Sequence, residues 1–191
     1  MSLNTIFFIG PQGSGKGTQA RVLAERLGFF YWEMGGILRE VSKNGTALGN
    51  KIKQQIDAGI LLSDELLLEV VTNRLTLIPL EQGVIFDGIP RRLDQAEFLL
   101  NFLQHQGRKN FTTLFIDVPK EESLKRLTLR AQKEGRADDT PEKIEVRLKQ
   151  YYQDTLPVID YLKGRTNFVE INGLQSVEEV TKSINQSLSI V

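Results

Sequence analysis

The stretch "GPQGSGKG" at residues 10–17 leaves this chain few folds to choose from. Glycine is disfavoured in helices and strands alike, so four glycines gathered around one lysine need a local reason. They follow the apolar run "TIFFIG" at 5–10 and precede the helical pattern "TQARVLAERL" at 18–27. A glycine, four residues, then glycine and lysine, set between a strand and a helix, is the P-loop pattern. Backbone amides in such a loop point at phosphate oxygens, and the helix amino end and Lys16 add positive potential. Gly10, Gly13, Gly15 and Gly17 let the backbone come close, so the expected ligand is a phosphate. The residue after the lysine is Gly17, and the hydroxyl comes one later, at Thr18. That is not the usual GTPase or ATPase form. A GTPase would also carry an Asn-Lys-x-Asp base reader, and the nearest stretch, "NKIK" at Asn50, lacks the aspartate.

Four further runs read as strands. "GVIFDG" at 83–88, "TTLFIDV" at 112–118 and "NFVEIN" at 167–172 share with the first the absence of a polar alternate face, which marks strands buried on both sides. "FFYWE" at 29–33 is a weaker fifth. Helical patterns lie between them, so the chain reads as an α/β doubly wound parallel sheet with helices on both faces and ligands beyond the carboxyl ends of the strands. Helix ends are also legible. Thr46 opens "ALGNKIKQQIDAG" and Gly59 stops it, while Ser63 opens the next helix with Asp64 and Glu65 at its positive end. Thr140 with Pro141 starts another, and Ser176 with Glu179 forms a capping box.

Composition sets outer limits. With 191 residues the chain fits a single domain, and its 24 basic and 24 acidic residues cancel, which argues against a nucleic-acid or anionic-lipid surface. No cysteine and one histidine exclude disulfides and the common Cys/His zinc sites. His105, near a helix end, reads as a surface or capping residue. No apolar run approaches the ~20 residues of a membrane helix, so a cytoplasmic location is the expectation, and with no long apolar surface stripe left over once the core faces are assigned, a monomer.

"GSGKGTQ" at 13–19, "DGIPRRLDQA" at 87–96 and "GRADD" at 135–139 occur in an order that resembles the nucleoside monophosphate kinases, adenylate kinase most of all. The resemblance spans nearly the whole chain. It implies a five-stranded parallel core (1–32, 63–130 and 141–191), a small helical monophosphate-binding insertion over about 33–62, and a short lid over about 131–140. The activity implied is reversible transfer of the terminal phosphoryl group of ATP to AMP, giving two ADP, with magnesium. The strand "VIFD" ends in Asp87, placed to hold that ion through water.

The site residues implied by the resemblance divide by nucleotide. ATP would lie on Gly13, Ser14, Gly15, Lys16, Gly17, Thr18, Arg126 and Gln175. AMP would lie on Met34, Gly35, Arg39, Leu61, Gly88, Arg91, Gln95, Arg136 and Arg147, with Gln95 reading the adenine edge. Lys16, Arg91, Arg126, Arg136 and Arg147 would carry catalysis, and Arg130, Asp138 and Asp139 belong to the lid. Arg126 and Arg130 are four apart on one helix, a like-charge pair costing about 0.2–0.5 kcal/mol in isolation, so an anion is expected to compensate. The short lid lacks a metal-binding insertion, and no zinc is expected.

At "EMGGILRE", 33–40, the chain departs from the family pattern. Met34 stands where a small hydroxyl residue is usual and Gly36 where an aspartate is usual, while Arg39 is kept. Two other readings therefore stay open beside the adenylate kinase: a UMP or CMP kinase, and a nucleotide-binding module without turnover. Pro11-Gln12, in place of a residue then proline, is expected to matter less because the backbone does the binding.

Overall fold

The computed structural model describes residues 4–57, 62–134 and 140–190. Leu61, Arg136, Asp138, Asp139 and the expected stop at Gly59 lie outside them.

The strands are β1 (Thr5–Ile9), β2 (Phe30–Glu33), β3 (Val84–Asp87), β4 (Phe111–Asp117) and β5 (Asn167–Asn172). They form one five-stranded sheet in the order β2-β3-β1-β4-β5, every pair parallel. The helices among the described residues are α1 (Lys16–Leu27), α2 (Met34–Val41), α3 (Ala47–Asp57), α4 (Asp64–Leu75), α5 (Leu93–His105), α6 (Lys120–Glu134), α7 (Pro141–Gln150), α8 (Leu156–Lys163) and α9 (Val177–Ser187). All five expected strands form, with ends shifted by a residue at most.

Strand alternation divides β1 between two cores. Phe7 and Ile9 join Trp32, Phe86 and Phe115 on the face covered by α4, α5 and α8. Ile6 and Phe8 join Ile85, Leu114, Ile116 and Ile171 on the face covered by α1 and α9. Both faces are dry over β1, β3 and β4, which is why those strands lack a polar face; the edge strand β5 instead exposes Asn167, Glu170 and Asn172, against the expectation of a strand buried on both sides. Register lines up Phe7, Phe86 and Trp32 as one aromatic row across β1, β3 and β2. Their ring centroids are 5.2 and 5.4 Å apart, contacts worth about 0.5–1.5 kcal/mol each beyond burial.

The expected caps are made. Thr46 Oγ1 accepts from Gly49 N at 3.0 Å, Ser63 Oγ from Leu66 N at 3.5 Å and Thr140 Oγ1 from Lys143 N at 3.4 Å. The Ser176–Glu179 box closes in both directions. His105 is exposed, its Nδ1 2.7 Å from Asn101 O. One feature was not foreseen: α7 runs through a π-helical turn, Tyr151–Thr155, into α8. That turn buries Tyr151 and Thr155, and Thr155 Oγ1 donates to Arg91 O at 3.0 Å.

Candidate active site

The carboxyl ends of the strands deliver the foreseen side chains to one edge of the sheet. β1 runs into the glycine loop, β2 ends at Glu33 and Met34, β3 ends at Asp87 and Gly88, and β5 leads to the exposed Gln175. The loop needs its glycines for identifiable reasons. Gly13 has φ +84°, and a Cβ there would lie 2.9 Å from Ser123 O, so both conformation and space exclude a side chain. At Gly17 a Cβ would stand 3.1 Å from Asp87 Oδ2, a tight contact to which the carboxylate would have to yield.

Lys16 Nζ donates to Pro11 O at 3.1 Å. Desolvation pulls its pKa from 10.5 to about 8, against the opposing pull of Asp87, with Arg91, Arg147 and Arg130 adding to the fall. The structure therefore gathers Lys16, Asp87, Arg91, Arg130 and Arg147 within electrostatic reach of one another. Tyr31 Oη donates to Asp87 Oδ2 at 3.0 Å, and burial with this neighbouring carboxylate raises the phenol's pKa. Among the described residues no group of three or more His, Cys, Asp or Glu side chains could hold a metal by itself. A lone, largely buried Asp87 beside a phosphate loop fits magnesium, which keeps several waters and takes its other ligands from phosphates.

Beside the loop lies a cavity of about 280 Å³. Met34, Leu38, Leu62 and Leu67 form its apolar side, and Gly35, Gly88, Arg91 and Gln95 also line it. Gln95 is held at both ends of its amide: Oε1 accepts from Arg91 N at 3.0 Å and Nε2 donates to Asp64 Oδ1 at 2.7 Å. Arg91 Nε donates to Gly88 O at 2.9 Å. A second, smaller cavity of about 20 Å³ adjoins Lys16 and shares Gly88 and Arg91 with the first.

The altered stretch on β2 and α2 has a local solution. Met34 is buried, and its Sδ accepts from Trp32 Nε1 at 3.3 Å. Glu33, at the amino end of α2, makes no capping bond; its Oε1 accepts from Arg39 Nη2 at 3.0 Å. A Cβ at Gly36 would lie 2.9 Å from Glu33 Oε2, so the carboxylate of Glu33 uses the room left by the missing side chain. The anion compensating Arg126 is protein: Nε donates to Glu122 Oε1 at 2.6 Å and Nη2 to Gly173 O at 2.9 Å.

Sequence reasoning missed Tyr31 and Thr155 as site residues, because each reaches the site through contacts distant in the chain, and it expected little of Gln12, which lines both cavities. Asp64 was visible only as a helix-start acid; it also binds Gln95 and pairs with Arg92 at 2.5 Å.

Comparison with known proteins bears on this geometry. A family model described as adenylate kinase matches residues 8–167. The adenylate kinase of Leptospira biflexa is 41% identical over 186 residues, covering 97% of this chain and all of that protein. That of Phocaeicola vulgatus is 41% identical over 182 residues, 95% of this chain and 96% of its own. That of Thermus thermophilus is 38% identical over 185 residues, 97% of each. With a glycine loop between β1 and α1, a neighbouring cavity of about 280 Å³ and these relatives along nearly its full length, the chain belongs to the adenylate kinase family.

Proposed function

We propose that this chain transfers the terminal phosphoryl group of ATP to AMP, reversibly and with magnesium, giving two ADP. The observation that carries the reading is the shared wall: Arg91 and Gly88 line both the cavity beside Lys16 and the larger cavity containing Gln95. Two nucleotides bound on either side would meet at that wall.

ATP lies on Gly13, Ser14, Gly15, Lys16, Gly17, Thr18, Arg126 and Gln175. The backbone amides of the loop cradle its phosphates and Lys16 neutralises charge there. AMP occupies the larger cavity, its base against Met34 and Gln95 and its phosphate toward Arg39 and Arg91. Gln95, fixed by Asp64 and the Arg91 amide, keeps one orientation of its remaining donor and acceptor positions, which suits a base edge offering one of each. The acceptor oxygen is already anionic at neutral pH, so no general base is required, and the residues work by positioning and charge neutralisation. Magnesium, held with the nucleotide near Asp87 through water, supplies further neutralisation of phosphate oxygens. Arg147 and Arg130 add positive charge on the same side, and Arg136 is assigned with them from the motif. The segments 33–62 and 131–140, the latter with Asp138 and Asp139, close over the nucleotides and exclude water; Leu61 belongs to the first.

Among the described residues no helix is long and apolar enough to cross a membrane. We read the chain as a cytoplasmic monomer, a state that sedimentation of the purified protein tests.

The functional test offers ATP and magnesium with AMP, UMP, CMP or GMP and follows diphosphate formation. AMP is the expected best acceptor, with turnover lost in Arg91→Ala. A better rate with UMP or CMP would replace the acceptor, and ATP binding without any turnover would leave a nucleotide-binding module.

A further inference from the structure

Gln95, in the first turn of α5, is buried at the edge of the larger cavity, and its neighbours accept only one orientation of its amide. The Arg91 N–H can only donate, and it meets Oε1 at 3.0 Å. The Asp64 carboxylate can only accept, and its Oδ1 meets Nε2 at 2.7 Å. Turning the amide over would set N–H against N–H at one end and oxygen against carboxylate at the other, leaving two bonds unmade in a buried place. Asp64 is itself held. It opens α4, where the positive helix end favours an acid, and its Oδ2 pairs with Arg92 Nη2, which also bonds Asp94 Oδ2 at 2.8 Å.

What this lock leaves over is specific. Nε2 keeps one N–H and Oε1 one lone pair, so a partner must offer an acceptor to the first and a donor to the second. A 6-aminopurine does so, because its ring N1 accepts and its 6-amino group donates. A 6-oxopurine offers the reverse pair, N1–H and O6, and would meet Gln95 donor to donor and acceptor to acceptor. A free glutamine could suit either base by turning over; this one is held against it. We propose that Asp64 is a positioning residue that sets base specificity: by fixing Gln95 in one orientation it makes the cavity select a 6-aminopurine monophosphate and reject a 6-oxopurine one. This rests on the reading of that cavity as the AMP site. The Arg91 half of the lock is main chain and survives side-chain substitution, so Asp64 is the half that a substitution can remove. The lock does not separate adenine from cytosine, which offers the same donor and acceptor pair.

IMP is the probe, because its base differs from that of AMP only in the oxygen at position 6 and the proton at N1. Asp64→Asn and Asp64→Ala are assayed beside the parent for kcat and KM with AMP and with IMP, for KM of ATP, and for melting temperature. The parent is expected to prefer AMP to IMP by at least about a hundredfold in kcat/KM. Asp64→Asn keeps the size of the side chain and its capacity to bond, but its amide can turn over in step with Gln95. Asp64→Ala removes the opposition altogether. In both, the AMP-to-IMP ratio is expected to fall about tenfold or more, with the IMP rate rising and KM of ATP within about twofold of the parent. A role in folding alone would lower both acceptors in step, together with the melting temperature, and leave the ratio where it was. A parent-like ratio in either variant would overturn the proposal, and so would a parent that uses AMP and IMP equally well. Failure of the parent to phosphorylate any monophosphate would instead overturn the underlying reading, so the two failures are distinguishable.

Discussion

Lys16, proposed to neutralise the phosphates of ATP, sits in surroundings that hold its pKa at about 8 instead of 10.5, and this has two opposite pH consequences. Between those values the unfolded chain keeps the proton and the folded one releases it, so the contribution of Lys16 to folding stability rises as pH goes from 8 to 10.5. ATP pulls the other way, because its phosphates favour the protonated amine. ATP affinity is therefore expected to be steady below pH 8 and to fall above it, by up to about tenfold per pH unit, with a proton taken up on binding near pH 9. Calorimetric titration in two buffers of different ionisation enthalpy measures that proton directly; no uptake at pH 9 would remove Lys16 from the ATP site. The sequence made Lys16 visible through its spacing, but not its environment. Gly17 illustrates the difference: its departure from the commoner motif could be read at once, whereas its close neighbour, the carboxylate of Asp87, arrives from β3.

At the scale of elements, α1 carries the loop and is tied to the far end of the chain by one buried side chain. Gln19 Nε2 donates to Val177 O at 2.9 Å, and Thr181 Oγ1 donates to Gln19 Oε1 at 2.8 Å, fastening α1 to α9. Gln19→Ala is expected to lower stability by about 1–3 kcal/mol, seen as an earlier urea midpoint at unchanged slope. Ser176→Ala, which opens the capping box of α9, should cost about 1 kcal/mol. If the Gln19 variant unfolds at the parent midpoint, the tie has no energetic weight. Local chemistry explains why so many ends could be read beforehand: Thr46, Ser63, Thr140 and Ser176 bond to amides three residues on, and nothing remote decides them. The inner strands β1, β3 and β4 were legible for a similar reason, since burial on both faces leaves a continuous apolar run. The Gln19 tie and the π-helical turn at Tyr151–Thr155 were not, because they depend on what packs against them.

Across the molecule, the aromatic row Phe7, Phe86 and Trp32 joins the strand that opens the phosphate loop to the strand that opens the larger cavity. Trp32 is the only tryptophan, fully buried, and its indole N–H donates to Met34 Sδ at 3.3 Å. Met34 in turn lines the cavity assigned to AMP, while none of the loop residues contacts the indole through this bond. The unusual methionine thus links a built-in fluorophore to the cavity proposed for AMP. AMP is expected to change the emission of Trp32, and ATP without AMP to leave it nearly unchanged. Met34→Leu keeps the volume and removes the sulfur acceptor, so the indole N–H loses its partner. The variant should show a shifted baseline and a smaller response to AMP, with a stability loss of about 1–3 kcal/mol. An equal response to ATP alone would mean that the two cavities are not separate acceptor and donor sites. No response to AMP, under conditions where AMP is phosphorylated, would place the acceptor base away from Met34 and return the choice of acceptor to Gln95 and Asp64 alone.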